Sequence, residues 1–228
     1  MRLLIIADVH GEFKKLDKIV DHVKEDFDVV VCPGDFTDMF NTPTNFSQID
    51  VALLVLEKLM VFGKPLLCVP GNHDPYDVVS IFKEYGVNLH AKRREILGIV
   101  FGGFGGAATP FDTLYEPSEA EIREGLEKIG KVDVLVVHNP PKNTKMDRIE
   151  SGQHVGSEAI RDYILKQKPK LVISAHIHEA AGSDKLGESL LFYPGPAFEG
   201  RYGIVDLDKM DVRINQVPLN EKQQNLSS

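Results

Sequence analysis

Tryptophan is absent from this 228-residue chain, and cysteine occurs only twice, as Cys32 and Cys68. Two cysteines cannot build a disulfide-stapled scaffold, and their spacing fits no zinc motif. They precede Pro33-Gly34 and Val69-Pro70-Gly71 and read as small buried hydrophobes, with a redox pair as the sharper alternative. No apolar stretch approaches the ~20 residues of a membrane-spanning helix. Met1-Arg2 leads into a strand without a signal-peptide pattern, so the expected location is the cytoplasm and no membrane partner is expected. Basic residues are in the minority. The 26 Lys and Arg against 34 Asp and Glu leave a formal net charge of −8, which argues against a sequence-independent grip on nucleic acid. Linkers, repeats and low-complexity segments are also missing. The chain therefore reads as one domain over residues 1–219 with a frayed polar tail at 220–228, and its oligomeric state is open.

What is present is an alternation of short apolar runs with amphipathic segments. It predicts strands near residues 2–7, 28–32 and 65–69 and helices near 12–25, 46–62 and 76–85. Such alternation reads as βαβ units and a mainly parallel sheet in an α/β protein. Further on, the pattern predicts strands at 96–103, 132–137 and 171–175, with helices at 118–129 and 157–167. Ser118 with Glu121 is spaced as a capping box, and Ser157 is a candidate cap. The runs 189–193, 202–207 and 212–217 suggest consecutive strands of an antiparallel meander.

Five polar clusters stand where apolar runs end: Asp8-Val9-His10, Gly34-Asp35 with Asp38, Gly71-Asn72-His73-Asp74, His138-Asn139 and His176-Ile177-His178. Ligands of open α/β sheets bind outside the carboxyl ends of the strands, where clusters far apart in sequence converge. Carboxylate, imidazole and amide donors without thiolate suit Mn²⁺, Fe²⁺ or Mg²⁺, or Zn²⁺ in a mixed site. Taken singly, these residues could equally be helix caps and turns. Six good ligands in this order are not what turn chemistry requires.

The ordered set from Asp8 to His178 resembles the calcineurin-like metallophosphoesterase superfamily. The resemblance implies a two-sheet α/β sandwich flanked by helices. It implies that Asp8, His10 and His178 bind one metal, that Asn72, His138 and His176 bind a second, and that Asp35 bridges them. Of the two divalent ions implied, Mn²⁺ is the expected one, with Fe, Mg²⁺, Ni²⁺ or Zn²⁺ as alternatives. His73 would be the general acid that protonates the leaving oxygen. Asp38 would orient it, and Asp74 is a second candidate for that role.

Physical bookkeeping agrees. Asp8 and Asp35 contribute about −2 against about +4 from two ions, so that after a bridging hydroxide the site stays attractive to phosphate in an acidic protein. The expected activity is hydrolysis of a phosphomonoester or phosphodiester by a hydroxide bridging the metals, with a small phosphate ester as substrate. Two alternatives are a catalytically silent metal-site scaffold for protein binding, which has no need of His73, and a nuclease.

Two departures from the family pattern stand out. Ala175 replaces the common Gly before His176. Met39-Phe40 stands where the protein Ser/Thr phosphatases carry Arg-Gly, which removes a bidentate phosphate contact and speaks against a phosphoprotein substrate. His154, in the loop after His138, is a candidate substrate contact or a structural histidine. Gly103, Gly105 and Ala108 mimic a dinucleotide fingerprint, but Thr109-Pro110 argues against the helix it needs. Those glycines read instead as points of close backbone approach.

Overall fold

The computed structural model describes residues 1–218; residue 219 and the tail expected at 220–228 lie outside the described residues. In chain order the regular elements are β1 (Arg2–Ile5), α1 (Phe13–His22), β2 (Val29–Cys32), α2 (Gln48–Met60), β3 (Leu66–Cys68), α3 (Val78–Glu84), β4 (Lys92–Ile96), β5 (Ile99–Phe104), α4 (Glu119–Ile129), β6 (Val134–Val137), α5 (Glu158–Gln167), β7 (Leu171–Ile173), β8 (Gly182–Leu186), β9 (Ser189–Tyr193), β10 (Arg201–Asp206) and β11 (Asp211–Gln216). They form two sheets, ordered β11-β10-β1-β2-β3 and β4-β5-β6-β7-β9-β8. This is a mixed α/β sandwich with helices on both outer sides.

β2, β3, β6 and β7 are apolar at every position, and β1 is apolar after Arg2, because both faces of these strands are buried. Leu3, Ile5, Val29, Val31, Leu67 and Val69 point inward against Phe101, Val134, Val136, Leu171, Ile173 and Phe192 of the other sheet. Their alternates Leu4, Val30, Cys32, Leu66 and Cys68 pack with Leu16, Ile19, Val55, Leu56 and Phe82 of α1, α2 and α3. On the far side Leu135, Val137 and Val172 meet Ile122, Leu126, Ile160 and Ile164 of α4 and α5. Cys32 and Cys68 lie opposite one another in β2 and β3 as free, wholly buried thiols, and burial pushes both thiols well up.

Local chemistry sets the helix starts. Ser118 and Glu121 form the expected reciprocal box at α4, and Ser157 Oγ accepts the Ile160 N–H at α5. Ser47 and Asp50 form a second box at α2. α1 is shorter than expected, beginning after Glu12 without a side-chain cap and ending at His22.

Two expectations need correction. The segment 96–103 is half of a hairpin: β4 and β5 pair antiparallel through a turn at Leu97 and Gly98, both with positive φ. β4 escapes a hydrophobic reading because Lys92-Arg93-Arg94-Glu95 occupies an exposed sheet edge, where charge blocks further strand pairing. β8 is likewise a polar edge strand. The C-terminal meander does not form. β9 lies parallel to β7 in one sheet, the chain then crosses to the other, and β10 pairs antiparallel with β1. Only β10 and β11 of that trio are a hairpin. Each sheet thus has a parallel centre with antiparallel strands at an edge.

Candidate metal centre

The seam between the sheets, at the carboxyl ends of β1, β2, β3, β6 and β7, gathers the polar clusters. Four of the residues there, Asp8, His10, Asp35 and His176, adopt left-handed backbone with φ between 49° and 75°. Such geometry costs about 1–3 kcal/mol at a non-glycine residue and persists where the surroundings over-determine it. Here backbone ties do so: the Asp8 N–H donates to Gly34 O, while the Val9 and His10 N–H groups both donate to Asp35 O at 2.8 and 2.9 Å. Gly34 and Gly71, before Asp35 and Asn72, have a steric cause. A Cβ on Gly71 would sit 2.0 Å from Asp35 Oδ1, and one on Gly34 would sit 2.5 Å from the Gly71 nitrogen. Only glycine lets these two loops close on each other.

Asp35 is at the centre and buried. Its Oδ2 is 3.4 Å from His10 Nε2 on one side and 3.4 Å from His138 Nε2 on the other, and its Oδ1 accepts the His73 backbone N–H at 2.9 Å. Burial opposes its ionisation, but the adjacent His138 and His10 outweigh burial and hold the carboxyl below the usual range. Ligating atoms of Asp8, His10, Asp35 and His178 all lie within 4.8 Å of one another. Asp8 is oriented by two donors: the buried Tyr193 hydroxyl to Oδ2 at 2.7 Å, and the His176 backbone N–H to Oδ1 at 3.2 Å. Burial lowers the His10 pKa against the pull of Asp35 and Asp8.

On the other side of Asp35, His138 is wholly buried and has an acceptor at each ring nitrogen: Pro33 O at 2.9 Å from Nδ1 and Asn72 Oδ1 at 2.9 Å from Nε2. Burial disfavours its charged form, but Asp35 wins and raises it to about 9. His176 lies beside it with the rings tilted and their centroids 5.2 Å apart, and burial followed by the proximity of His138 takes His176 down to about 3. Asn72 turns its Nδ2 to Thr113 Oγ1 at 3.2 Å, which leaves Oδ1 facing the site. Thr113 is in turn gripped through its N–H and hydroxyl by the Glu116 carboxylate.

His73 stands beside this group. Its ring is 4.8 Å from that of His10, and its Nδ1 is 3.4 Å from Asp38 Oδ1. Asp74 does not reach it. That carboxylate is buried and accepts the Gly71, Phe36 and Thr37 N–H groups, so it ties the β2 and β3 loops together. Burial, with Asp35 adding to it, pushes Asp74 up to about 6 against those donors.

The structure thus brings together Asp8, His10, Asp35, Asn72, His73, His138, His176 and His178, with Asp38 behind His73. His154 makes a different contact: its Nδ1 is 2.7 Å from the buried Asp147 Oδ1, and Asp147 also accepts N–H groups from Asn143, Thr144 and Gly156. That pair holds the 139–157 loop. Reading of the sequence missed Tyr193, Thr113, Glu116 and Phe198. Only Tyr193 carried a usable signal, as a phenol at the end of an otherwise apolar strand.

The donor set suits a divalent cation. His10 Nε2 and His178 Nε2 are buried without a hydrogen-bond partner, a state that costs free energy unless something coordinates them. Thiolates are absent from the group, so oxygen and imidazole ligands would hold the ion.

Among the described residues no helix is long and apolar enough to cross a membrane. An uncharacterized protein of Methanocaldococcus jannaschii is 34% identical over 206 residues, covering 86% of this chain and 88% of that protein. In fold, the crystal structure of TT1561 of Thermus thermophilus superposes with a TM-score of 0.70 at 20% identity, covering 94% of this chain and 98% of that one. A hypothetical protein of the same organism gives 0.53 at 14% identity, covering 96% and 100%. The family profile described as calcineurin-like phosphoesterase matches residues 1–180, the stretch that holds every candidate ligand gathered at the seam. The chain belongs to the calcineurin-like phosphoesterases, a family of metal-dependent phosphoester hydrolases.

Proposed function

We propose that this protein hydrolyses a small phosphomonoester or phosphodiester with a pair of divalent ions, Mn²⁺ first among them. Asp8, His10 and His178 hold one ion, Asn72, His138 and His176 hold the other, and Asp35 serves both. The observation that carries the reading is the central position of Asp35, equidistant at 3.4 Å from an imidazole of each group. When bound, such a pair supplies Lewis acidity toward the phosphoryl oxygens and acidifies a water. Tyr193 keeps Asp8 turned to its ion, and Thr113 keeps the Asn72 oxygen turned to the other.

The protein's own chemical step is proton delivery. His73 reaches the mouth of the site and gives a proton to the departing oxygen, with the Asp38 carboxylate 3.4 Å from its Nδ1, near enough to orient the ring by its charge. Met39-Phe40 in place of a guanidinium supports a small ester over a phosphoprotein.

The test uses metal-stripped protein reloaded separately with Mn²⁺, Mg²⁺, Ni²⁺ and Zn²⁺, assayed on nucleotides, cyclic nucleotides, sugar phosphates and aryl diesters. Metal-dependent turnover of at least one class is expected. His73→Ala should keep its metal and lose about 10²–10⁴-fold in rate on an ester with a poor leaving group. A variant that matches the parent on such an ester removes His73 from the acid role.

A further inference from the structure

The mouth of the site has two aromatic walls that hydrolysis itself does not need. Phe40 is 67% exposed, yet its ring stands 5.5 Å from that of His73 in an edge contact. Its N–H donates to Asp38 Oδ1 at 2.9 Å, the same oxygen that lies 3.4 Å from His73 Nδ1. The phenyl is therefore registered to the acid side of the site. Phe198 lines the same cavity, with its ring 4.9 Å from that of His178 and 5.5 Å from that of His10. It is anchored by its N–H to Asp8 O, and the Lys15 ammonium stands 6.0 Å from its ring centre.

The cavity these rings line is about 300 Å³ and is completed by Glu12, Asp38 and Asn41. Its charged lining is acidic apart from the metal ligands. The nearby Lys15 is already 3.6 Å from Glu12. A second phosphate or carboxylate on the departing half of the substrate would meet Glu12 and Asp38, with no Lys or Arg among the lining residues to offset them. A flat, uncharged ring would instead find aromatic edges and faces at contact distance.

We infer that the substrate's leaving group is an alcohol bearing an uncharged aromatic ring, received between Phe40 and Phe198 beside His73. This rests on the hydrolase reading above and narrows it. Phe40 and Phe198 are specificity determinants, and bisphosphates and simple sugar phosphates are poor substrates.

The experiment compares benzyl with ethyl leaving groups of similar basicity in Mn²⁺-loaded protein. The probes are benzyl and ethyl phosphate as monoesters and benzyl methyl and ethyl methyl phosphate as diesters, with release of benzyl alcohol or ethanol followed by NMR. In the class that is hydrolysed, kcat/KM should favour benzyl by about tenfold. Phe40→Ala should bring that ratio close to one, and Phe40→Trp should restore it. Phe40 is exposed, so its loss leaves folding intact, which the circular dichroism spectrum checks. Hydrolysis with no benzyl preference, or with a preference indifferent to Phe40→Ala, overturns the leaving-group assignment while the hydrolase reading stands. Absence of turnover on all four esters and on every class of the wider panel overturns both.

Discussion

Asp35 has an imidazole 3.4 Å away on each side, yet the surroundings shift the basicity of the two imidazoles in opposite directions. His10 is pulled down by burial and its Nε2 has no hydrogen-bond partner, whereas His138, more deeply buried, is pushed up to about 9. Distance to the carboxylate does not separate them. What differs is hydrogen bonding: beyond the charge of Asp35, the protonated form of His138 is supported by hydrogen bonds to the Asp35 carboxylate and to Pro33 O, and His10 has neither. Hydrogen bonds to the charged form favour that form. The His10 side offers a nitrogen without a partner, whereas on the His138 side Nε2 and Asn72 Oδ1 face each other, so an ion held there would take the place of the proton between them.

Asp35→Asn attacks what the two sides share and should have the largest effect. Both sides lose their common acid, so metal content by mass spectrometry should fall to background together with turnover; retention of one ion would show that the sides are independent. Tyr193→Phe tests the His10 side alone. Removing the donor to Asp8 should weaken metal binding by about 10–100-fold in titration calorimetry, the usual cost of losing an outer-layer partner. Stability of the metal-stripped protein probes the contrast directly. His138→Ala strands Pro33 O and Asn72 Oδ1 and should cost about 2 kcal/mol more than His10→Ala, a gap of about 4–8 °C in Tm. Equal Tm values would mean that the His138 hydrogen bonds contribute nothing to the fold.

The smallest effect concerns His90, a partly buried histidine outside the site with no carboxylate as hydrogen-bond partner. Its Nδ1 accepts the Gly105 N–H at 3.0 Å, its Nε2 is 3.1 Å from the Tyr115 hydroxyl, and burial takes it down to about 4. The folded protein then holds this proton less tightly than the unfolded chain, whose histidine titrates near 6.5. Its contribution is complete above pH ~6.5 and is lost as pH falls through ~6.5 toward 4. Between about pH 7 and 5 the parent should lose about 1 kcal/mol relative to His90→Gln, after allowance for partial solvent contact. An unchanged gap between the two in pH-dependent denaturant melts would contradict this.

The polar clusters of the candidate site were legible because each follows an apolar run, and a buried parallel strand advertises itself that way. Family resemblance then supplied their pairing. The polar edge strands β4 and β8 were not legible, since their residues are chosen to repel other strands and carry no period-two apolar signal. The sheet assignment of the last strands was also hidden. Whether β9 turns back or crosses over depends on Gly195 to Gly200, where the Ala197 N–H bonds to Ala7 O at the opposite end of the sequence. Thr113 and Glu116 look like ordinary loop residues until the fold sets Asn72 beside them.

The seam location has a mechanical consequence. Asp8, His10, Asp35 and Asn72 belong to one sheet, while His138, His176 and His178 belong to the other. An ion shared across that boundary rivets the two halves of the sandwich together at one end. Cation loading should therefore slow amide hydrogen exchange at the carboxyl ends of β1, β2, β6 and β7 far more than at their opposite ends.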